Sequence, residues 1–310
     1  MTGVLCAGVA VVDFVLQVDQ VPPGPGVHTA SNASIVGGGC AANAAVAVAR
    51  LGGAPALIAR LGADPVGDLI VADLEAEQVD CSLVARHQDR RSSYSSVLID
   101  VLGERQILNY RDRLLPIAPH WQSDELPAVA AVLVDTRWPE GSLELLGQIK
   151  NVPVVVDAEA PLPPDLTMLK LASHVAFSAQ GLTEFASRQD ITGTDLIGNL
   201  RAAGALLGDV VMVTNGEEGV FWTEKGEVTH CPGFPVDVVD TLGAGDVWHG
   251  ALALGLGEGQ SLEQSVIFAS AAAAIKCMEF GGRTGIPDRQ HVADFLAGHR
   301  PLPKARKLTA

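Results

Sequence analysis

Short apolar runs of strand type recur at residues 3 to 11, 55 to 60, 130 to 134, 153 to 156 and 210 to 213, and segments of helical periodicity lie between them. A strand that is apolar throughout, rather than at every second residue, has both faces covered, and parallel neighbours are joined through a crossover helix. The expected fold is therefore α/β: a Rossmann-like, mainly parallel sheet flanked by helices. With 310 residues, 48% of them hydrophobic, one domain spanning 1–310 can bury about 75% of the surface its unfolded chain exposes.

The stretch from 94 to 110, YSSVLIDVLGERQILNY, has a different pattern. Two runs that alternate apolar and polar residues flank Leu102-Gly103-Glu104, the signature of an antiparallel hairpin with one open face. Segments 14–35 and 92–113 together are expected to form a small β-sheet lid projecting from the large domain. The tail from Gly298, rich in Pro, Lys and Arg, reads as mobile.

A formal net charge of −15 opposes non-specific contact with nucleic acid or an anionic membrane. The N-terminal run of residues 3 to 11 reads as a buried first strand ended by Asp13. No Lys or Arg precedes it, as a signal peptide would require. The five cysteines, Cys6, Cys40, Cys81, Cys231 and Cys277, are dispersed and odd in number. They suggest neither a disulfide framework nor a zinc site and fit a reducing cytoplasm.

Two glycine-rich turns carry the chemistry. Gly37-Gly38-Gly39 follows a strand-like SNASIV and opens a helix whose small residues, Ala42, Ala45, Val46 and Ala49, share a face that can lie close to a sheet. The turn reads either as a tight connection without a ligand or as an open ligand loop. Gly37, Gly39 and Ala42 also satisfy G-x-G-x-x-A, which keeps an NAD(P)-dependent oxidoreductase as an alternative. That pattern normally follows the first strand, with an acidic ribose anchor after the second, and here the second strand ends near Arg60.

The second turn lies in VDVVDTLGAGDVWHGALALGL, read as a strand, a turn from Asp240 to Gly245, and a helix with Val247, Ala251 and Leu254 on its apolar face. The N–H groups of Ala244, Gly245 and Asp246 can converge on an anion at the helix N-terminus. Asp246 then sits beside the presumed phosphate hole as a base for an attacking hydroxyl. The plain alternative is that Asp240 or Thr241 caps the helix and Asp246 favours its positive end.

With GGGCAANAAVAVARLGG near the start and DTLGAGDVWHGALALGL about 200 residues later, the chain resembles the ribokinase/PfkB superfamily of sugar and nucleoside kinases. The resemblance implies an ATP-dependent sugar kinase with a lid over the sugar. It implies Asp246 as catalytic base and Gly243, Ala244 and Gly245 as anion hole. Asp13, Gly38, Gly39 and Asn43 would bind the sugar, and Thr214, Gly216 and Gly219 would approach the nucleotide. Mg²⁺ would accompany ATP, and Asp240 and Thr241 stand where many relatives hold K⁺. The N-x-x-E motif with which many members organise magnesium is replaced by Ser178 and Gly181 in FSAQGLTEF; Glu184 is the nearby carboxylate.

A narrower resemblance, in RSSYSSVLIDVLGERQILNY, VDTRWPEG and IKCMEFGGRTGIPD, is to the sulfofructose kinase branch. It implies an anionic ketohexose such as 6-deoxy-6-sulfofructose, phosphorylated on a primary hydroxyl, with Asn109 and Arg137 at the sulfonate. Arg111 and Arg113 add positive charge near the lid, as a solvated edge or for an anionic substrate. That branch carries a lysine where this chain has Val27, followed by His28. The alternatives are a phosphofructokinase, a ketohexokinase, a ribokinase-like enzyme, a nucleoside kinase or a non-catalytic sugar binder. Exposed edges in a small lid sheet suggest a homodimer.

Overall fold

The computed structural model describes every residue except 23, 102–104, 192–194, 209 and 309–310, and of Arg105 only the backbone. In chain order the strands are β1 (Gly3–Ala7), β2 (Val11–Gln17), β3 (Asn32–Gly38), β4 (Ala54–Gly62), β5 (Val84–His87), β6 (Tyr94–Ile99), β7 (Arg105–Tyr110), β8 (Ala131–Asp135), β9 (Val154–Ala158), β10 (His174–Ser178), β11 (Val210–Thr214), β12 (Val220–Glu224), β13 (Glu227–Cys231) and β14 (Arg306–Leu308). The α-helices are α1 (Cys40–Arg50), α2 (Pro65–Ala76), α3 (Pro139–Gln148), α4 (Thr167–Leu171), α5 (Ala179–Arg188), α6 (Leu196–Leu207), α7 (Ala244–Gly257), α8 (Leu262–Cys277) and α9 (Arg289–Gly298).

The large sheet has the order β5-β4-β1-β8-β9-β10-β11-β12-β13-β14. Pairing is parallel from β5 through β11 and antiparallel from β11 to β14. Its central strands are buried on both faces, as their continuous apolar character requires. Val4, Cys6, Ala131 and Leu133 face one core with α1, α7 and α8, whereas Leu5, Ala7, Val132 and Val134 face the other. Truncating a fully buried leucine such as Leu133 to alanine costs about 2–5 kcal/mol. No helix among the described residues is long and apolar enough to cross a membrane.

The lid is a separate four-stranded sheet, β3-β2-β6-β7, with β2 pairing antiparallel to β3 and parallel to β6. The β6–β7 hairpin forms as expected, and its turn, Leu102-Gly103-Glu104, lies outside the described residues. Three expectations are corrected. The apolar run from 3 to 11 is two elements, because the chain leaves the large sheet at Gly8 and enters the lid at Val11, so Asp13 lies within β2. The stretch VDVVD before the second turn carries no strand. Part of the tail is ordered, since Arg306–Leu308 pairs with β13.

Candidate active site

Ligand sites of parallel α/β sheets lie beyond the carboxyl ends of the strands. At that end, Asp135 closes β8 and is buried. Its Oδ2 accepts from the Val9 N–H (2.8 Å) and the Ala41 N–H (3.2 Å), and its Oδ1 accepts from the Arg137 N–H (2.9 Å). One carboxylate thus fixes the chain entering the lid, the start of α1 and the Arg137 backbone.

The first turn requires glycine for steric reasons. Gly39 caps α1 at φ 95°, and a Cβ there would lie 2.4 Å from the Val9 carbonyl oxygen. A Cβ on Gly38 would lie 2.8 Å from Asp13 Oδ2. Asp13 pairs in register with Ser95, and Ser95 with Asn109. Opposed residues share a face, so the three form one polar row, in which Asn109 Nδ2 donates to Ser95 Oγ at 3.2 Å. Burial pushes the Asp13 carboxyl up, partly offset by Ser95 and by the charge of Arg283.

This row, Gly39, Cys40, Arg111, Arg137, Glu159 and Asp240 line one cavity of about 260 Å³ between lid and large sheet. The volume is small for a ligand cavity and suits a single sugar ring. The Arg137 guanidinium is already engaged: it donates to Glu159 Oε2 (2.9 Å) and to the carbonyls of Ala160 (2.9 Å) and Pro161 (3.2 Å). Val27 is fully exposed and is not part of the cavity wall.

Beneath the cavity, α1 and α7 meet. Asn43 Nδ2 donates to Asp246 Oδ2 at 2.7 Å, and Asn43 Oδ1 accepts from Arg283 Nε at 2.7 Å. Arg283 is buried; it also donates to the Gly38 carbonyl (3.2 Å) and pairs with Asp73. Each polar atom of Asn43 thus has one protein partner, which leaves a second Nδ2 hydrogen and a second Oδ1 lone pair for the sugar contact the resemblance implies.

Asp246 is pushed up to about 7, first by burial and then by the charge of Asp157, while the Asn43 bond opposes the rise. Asp157, buried at the end of β9, is itself raised by burial and by the charges of Glu159 and Asp135. Two carboxyls this close titrate as a pair. Burial lowers the His249 imidazole, whose Nδ1 lies 3.6 Å from Asp157 Oδ2. Burial and Asp246 raise the Cys40 thiol, which leaves it protonated and poorly nucleophilic.

Gly243 takes φ 77° at the N-cap of α7, so no side chain caps this helix. The Ala244 N–H is bonded to the Thr241 carbonyl at 3.1 Å. Among the described residues the N–H groups of Gly245 and Asp246 have no such acceptor and remain open to an anion. Thr214, Gly216 and Gly219 lie apart from the cavity, at the β11–β12 hairpin. A Cβ on Gly219 would strike the Cys231 carbonyl at 2.3 Å, whereas Gly216 faces open space.

Residues 1–289 match the sequence profile described as pfkB family carbohydrate kinase. The chain belongs to the pfkB family of carbohydrate kinases. It is 26% identical to a ribokinase of Bacillus subtilis (strain 168) over 303 residues, covering 96% of this chain and all of that one. It is 32% identical to a fructokinase of Klebsiella pneumoniae over 241 residues, 71% of this chain and 76% of the other. A crystal structure of a presumed ribokinase from Agrobacterium tumefaciens superposes with a TM-score of 0.87 at 32% identity, covering 96% of this chain and 98% of that one. This carbohydrate kinase is therefore a phosphotransferase acting on a sugar hydroxyl. The oxidoreductase alternative falls with that finding, and Gly37 and Gly38 end lid strand β3, with Gly39 next, rather than following the first strand of the large sheet.

Two cation expectations meet different surroundings. Ser178 Oγ caps α5 through the Gly181 N–H (3.0 Å), and Glu184 is held by Arg188 and the Leu162 N–H, so neither offers magnesium a free ligand. Asp157 does fit: its Oδ1 is buried without a hydrogen-bond partner among the described residues. Its carboxylate, that of Asp246 and Cys40 Sγ lie within 4.8 Å of one another. Magnesium prefers oxygen ligands and keeps its waters, so the carboxylates fit it and the protonated thiol does not. Asp240 is different, because the Lys276 ammonium is already there, 3.5 Å from Oδ2. Burial alone would raise Asp240, but the N–H groups of Leu242, Gly281 and Gly282, with Lys276, hold it below its usual range. A bare monovalent cation does not fit beside that ammonium. The sequence alone does not single out Asp157 or Lys276: one is a carboxylate near the end of a buried strand, the other a lone lysine in AAAAIKC.

Proposed function

We propose that this protein transfers the γ-phosphoryl group of Mg-ATP to a primary hydroxyl of a small sugar held under the lid, with Asp246 as the base. The observation that carries this reading is the placement of Asp246. It lies in the first turn of α7 beside the two open N–H groups, its carboxyl is raised to about 7, and its carboxylate lies within 4.8 Å of the Sγ of Cys40, which lines the sugar-sized cavity. A base whose proton affinity matches neutral pH is best suited to take the hydroxyl proton. The N–H groups of Gly245 and Asp246 stabilise charge on the phosphoryl oxygens, aided by the helix dipole, which contributes about 0.3–1 kcal/mol.

The row Asp13–Ser95–Asn109 binds sugar hydroxyls, and Gly39 lets the sugar approach the backbone. Asn43 holds Asp246 and has a second amide hydrogen left to meet a sugar hydroxyl. Asp157 bears on the magnesium of the nucleotide through water. Thr214, Gly216 and Gly219 border the nucleotide beyond the cavity. The reading also places the enzyme in the cytoplasm and pairs two copies through the lid, whose outer strands β3 and β7 are its edges.

For the sugar itself, the Arg137–Glu159 pair favours a neutral ketose or pentose, because its guanidinium is occupied and its carboxylate accepts hydroxyls. Arg111, exposed at the cavity wall, favours a second reading, an anionic ketohexose such as 6-deoxy-6-sulfofructose. The test is ADP release with Mg-ATP across ribose, fructose, tagatose, fructose 6-phosphate, 6-deoxy-6-sulfofructose and adenosine. Turnover with a neutral sugar supports the first reading, and turnover confined to the sulfonated ketose supports the second. No ADP release with any sugar, at a protein concentration that binds ATP, would overturn the transferase assignment for this panel.

A further inference from the structure

Lys276 is a fully buried ammonium group that the chemistry above does not use. It sits in the last turn of α8, within the run AAAAIKC, and is 0% exposed. Removing an ammonium from water costs several kcal/mol unless good partners replace the water, and an apolar side chain would fill the same space without that cost. Its partners are specific. Nζ donates to the Asp240 carbonyl oxygen at 2.8 Å and lies 3.5 Å from Asp240 Oδ2.

Asp240 is the hinge of the phosphate-binding turn. Its Oδ1 accepts from the Leu242 N–H (2.9 Å), just before α7, and its Oδ2 accepts from the N–H groups of Gly281 (3.1 Å) and Gly282 (3.3 Å). One carboxylate thus joins the loop that opens α7 to the loop that follows α8. The charge that neutralises this carboxylate also clamps its carbonyl. A bound potassium ion would use the same two kinds of oxygen and carry the same charge, but it could dissociate; a lysine cannot.

We propose that the ε-ammonium of Lys276 is a built-in replacement for a monovalent cation at Asp240, which holds the phosphate-binding turn without added potassium. The proposal rests on the kinase reading for its consequence, and nucleotide binding tests it separately from turnover. Lys276 is a positioning residue, since it touches the Asp240 hinge and not the nucleotide.

The experiment compares the wild-type chain with Lys276→Met in potassium, sodium and tetramethylammonium chloride at equal ionic strength. It reads Mg-ADP affinity by calorimetry and, where a sugar turns over, kcat/KM for ATP. Wild type is expected to give the same affinity within about twofold in all three salts, a difference too small to signal coupling between sites. In tetramethylammonium, Lys276→Met is expected to lose about tenfold in affinity, as for an uncoupled effector site, and potassium should restore most of it. Wild-type binding that requires potassium overturns the proposal. So does a folded Lys276→Met with full affinity in tetramethylammonium, which would make the lysine a structural ion pair only. If Lys276→Met does not fold, the wild-type salt comparison still decides. Failure to bind ADP in every salt would instead remove the kinase reading, and the proposal with it.

Discussion

Asn43 Nδ2 donates a 2.7 Å hydrogen bond to Asp246 Oδ2, joining two glycine turns that are 203 residues apart in the chain. The bond matters in both directions. It orients the carboxylate, and it favours the ionised form that a base needs. Two neighbours pull the proton affinity of Asp246 in opposite directions: Asn43 lowers it and the Asp157 charge raises it, on top of the larger effect of burial.

The activity should therefore have an acid limb near pH 7, since only deprotonated Asp246 accepts a proton. Asn43→Ala removes a bond to the charged form, so the limb should move to higher pH, with kcat reduced about 10- to 100-fold by loss of orientation. Asp157→Asn removes a like charge, so the limb should move to lower pH. The pH profiles of kcat/KM for wild type and both variants check this; shifts of the same sign would contradict it.

Arg283 carries the other half of the linkage. Its guanidinium serves Asn43 Oδ1, the Gly38 carbonyl and Asp73. Arg283→Met deprives three acceptors, Asn43 Oδ1, the Gly38 carbonyl and Asp73, of this donor and is expected to cost about 2–4 kcal/mol of stability. Urea unfolding measures it, and a loss below about 0.5 kcal/mol, the level of an ordinary surface change, would show that the linkage is dispensable.

Gly39→Ala should be more damaging than its single methyl group suggests. The backbone is held at φ 95°, and the new Cβ would meet the Val9 carbonyl. Strain of this kind costs about 1–3 kcal/mol, and relief requires the cavity floor to move. A lower thermal midpoint together with a raised KM for the sugar is expected; an unchanged KM would show that the sugar does not approach this turn.

Asp246 is also a source of instability. Its carboxyl is raised in the folded protein, to about 7, from an unfolded value of about 3.9. Between those values the folded state binds more protons than the unfolded state, so the Asp246 contribution declines as pH rises. Asp246→Asn removes the decline, and its thermal midpoint relative to wild type should be higher at pH 8 than at pH 5. An equal difference at both pH values would contradict the raised carboxyl.

Much of this architecture is legible in the residues. The parallel strands show because burial on both faces demands continuous apolar runs, and the lid hairpin shows because one open face leaves alternation. The Asp246 turn is legible from its glycines and from the acid that directly follows them. The boundary at Gly8 is not, since the apolar pattern from Val4 to Val12 passes through it unbroken. Asp157, Arg283 and Lys276 escape for another reason. Each acts through partners far away in sequence, and a lone charge gives no periodic signal; only the fold brings Lys276 to Asp240 and Arg283 to Asn43. The terminal strand Arg306–Leu308 is likewise held by pairing with β13, which its polar composition does not advertise.

The central claim is that Asp246 is the base, and the most direct measurement is the kcat of Asp246→Asn on the preferred sugar, with Mg-ADP affinity measured on the same preparation. A fall of about 10²- to 10⁴-fold, the usual contribution of a positioned acid or base, with nucleotide affinity within a few-fold of wild type, is the result this account predicts. Turnover close to wild type in a variant that folds and binds nucleotide would contradict it.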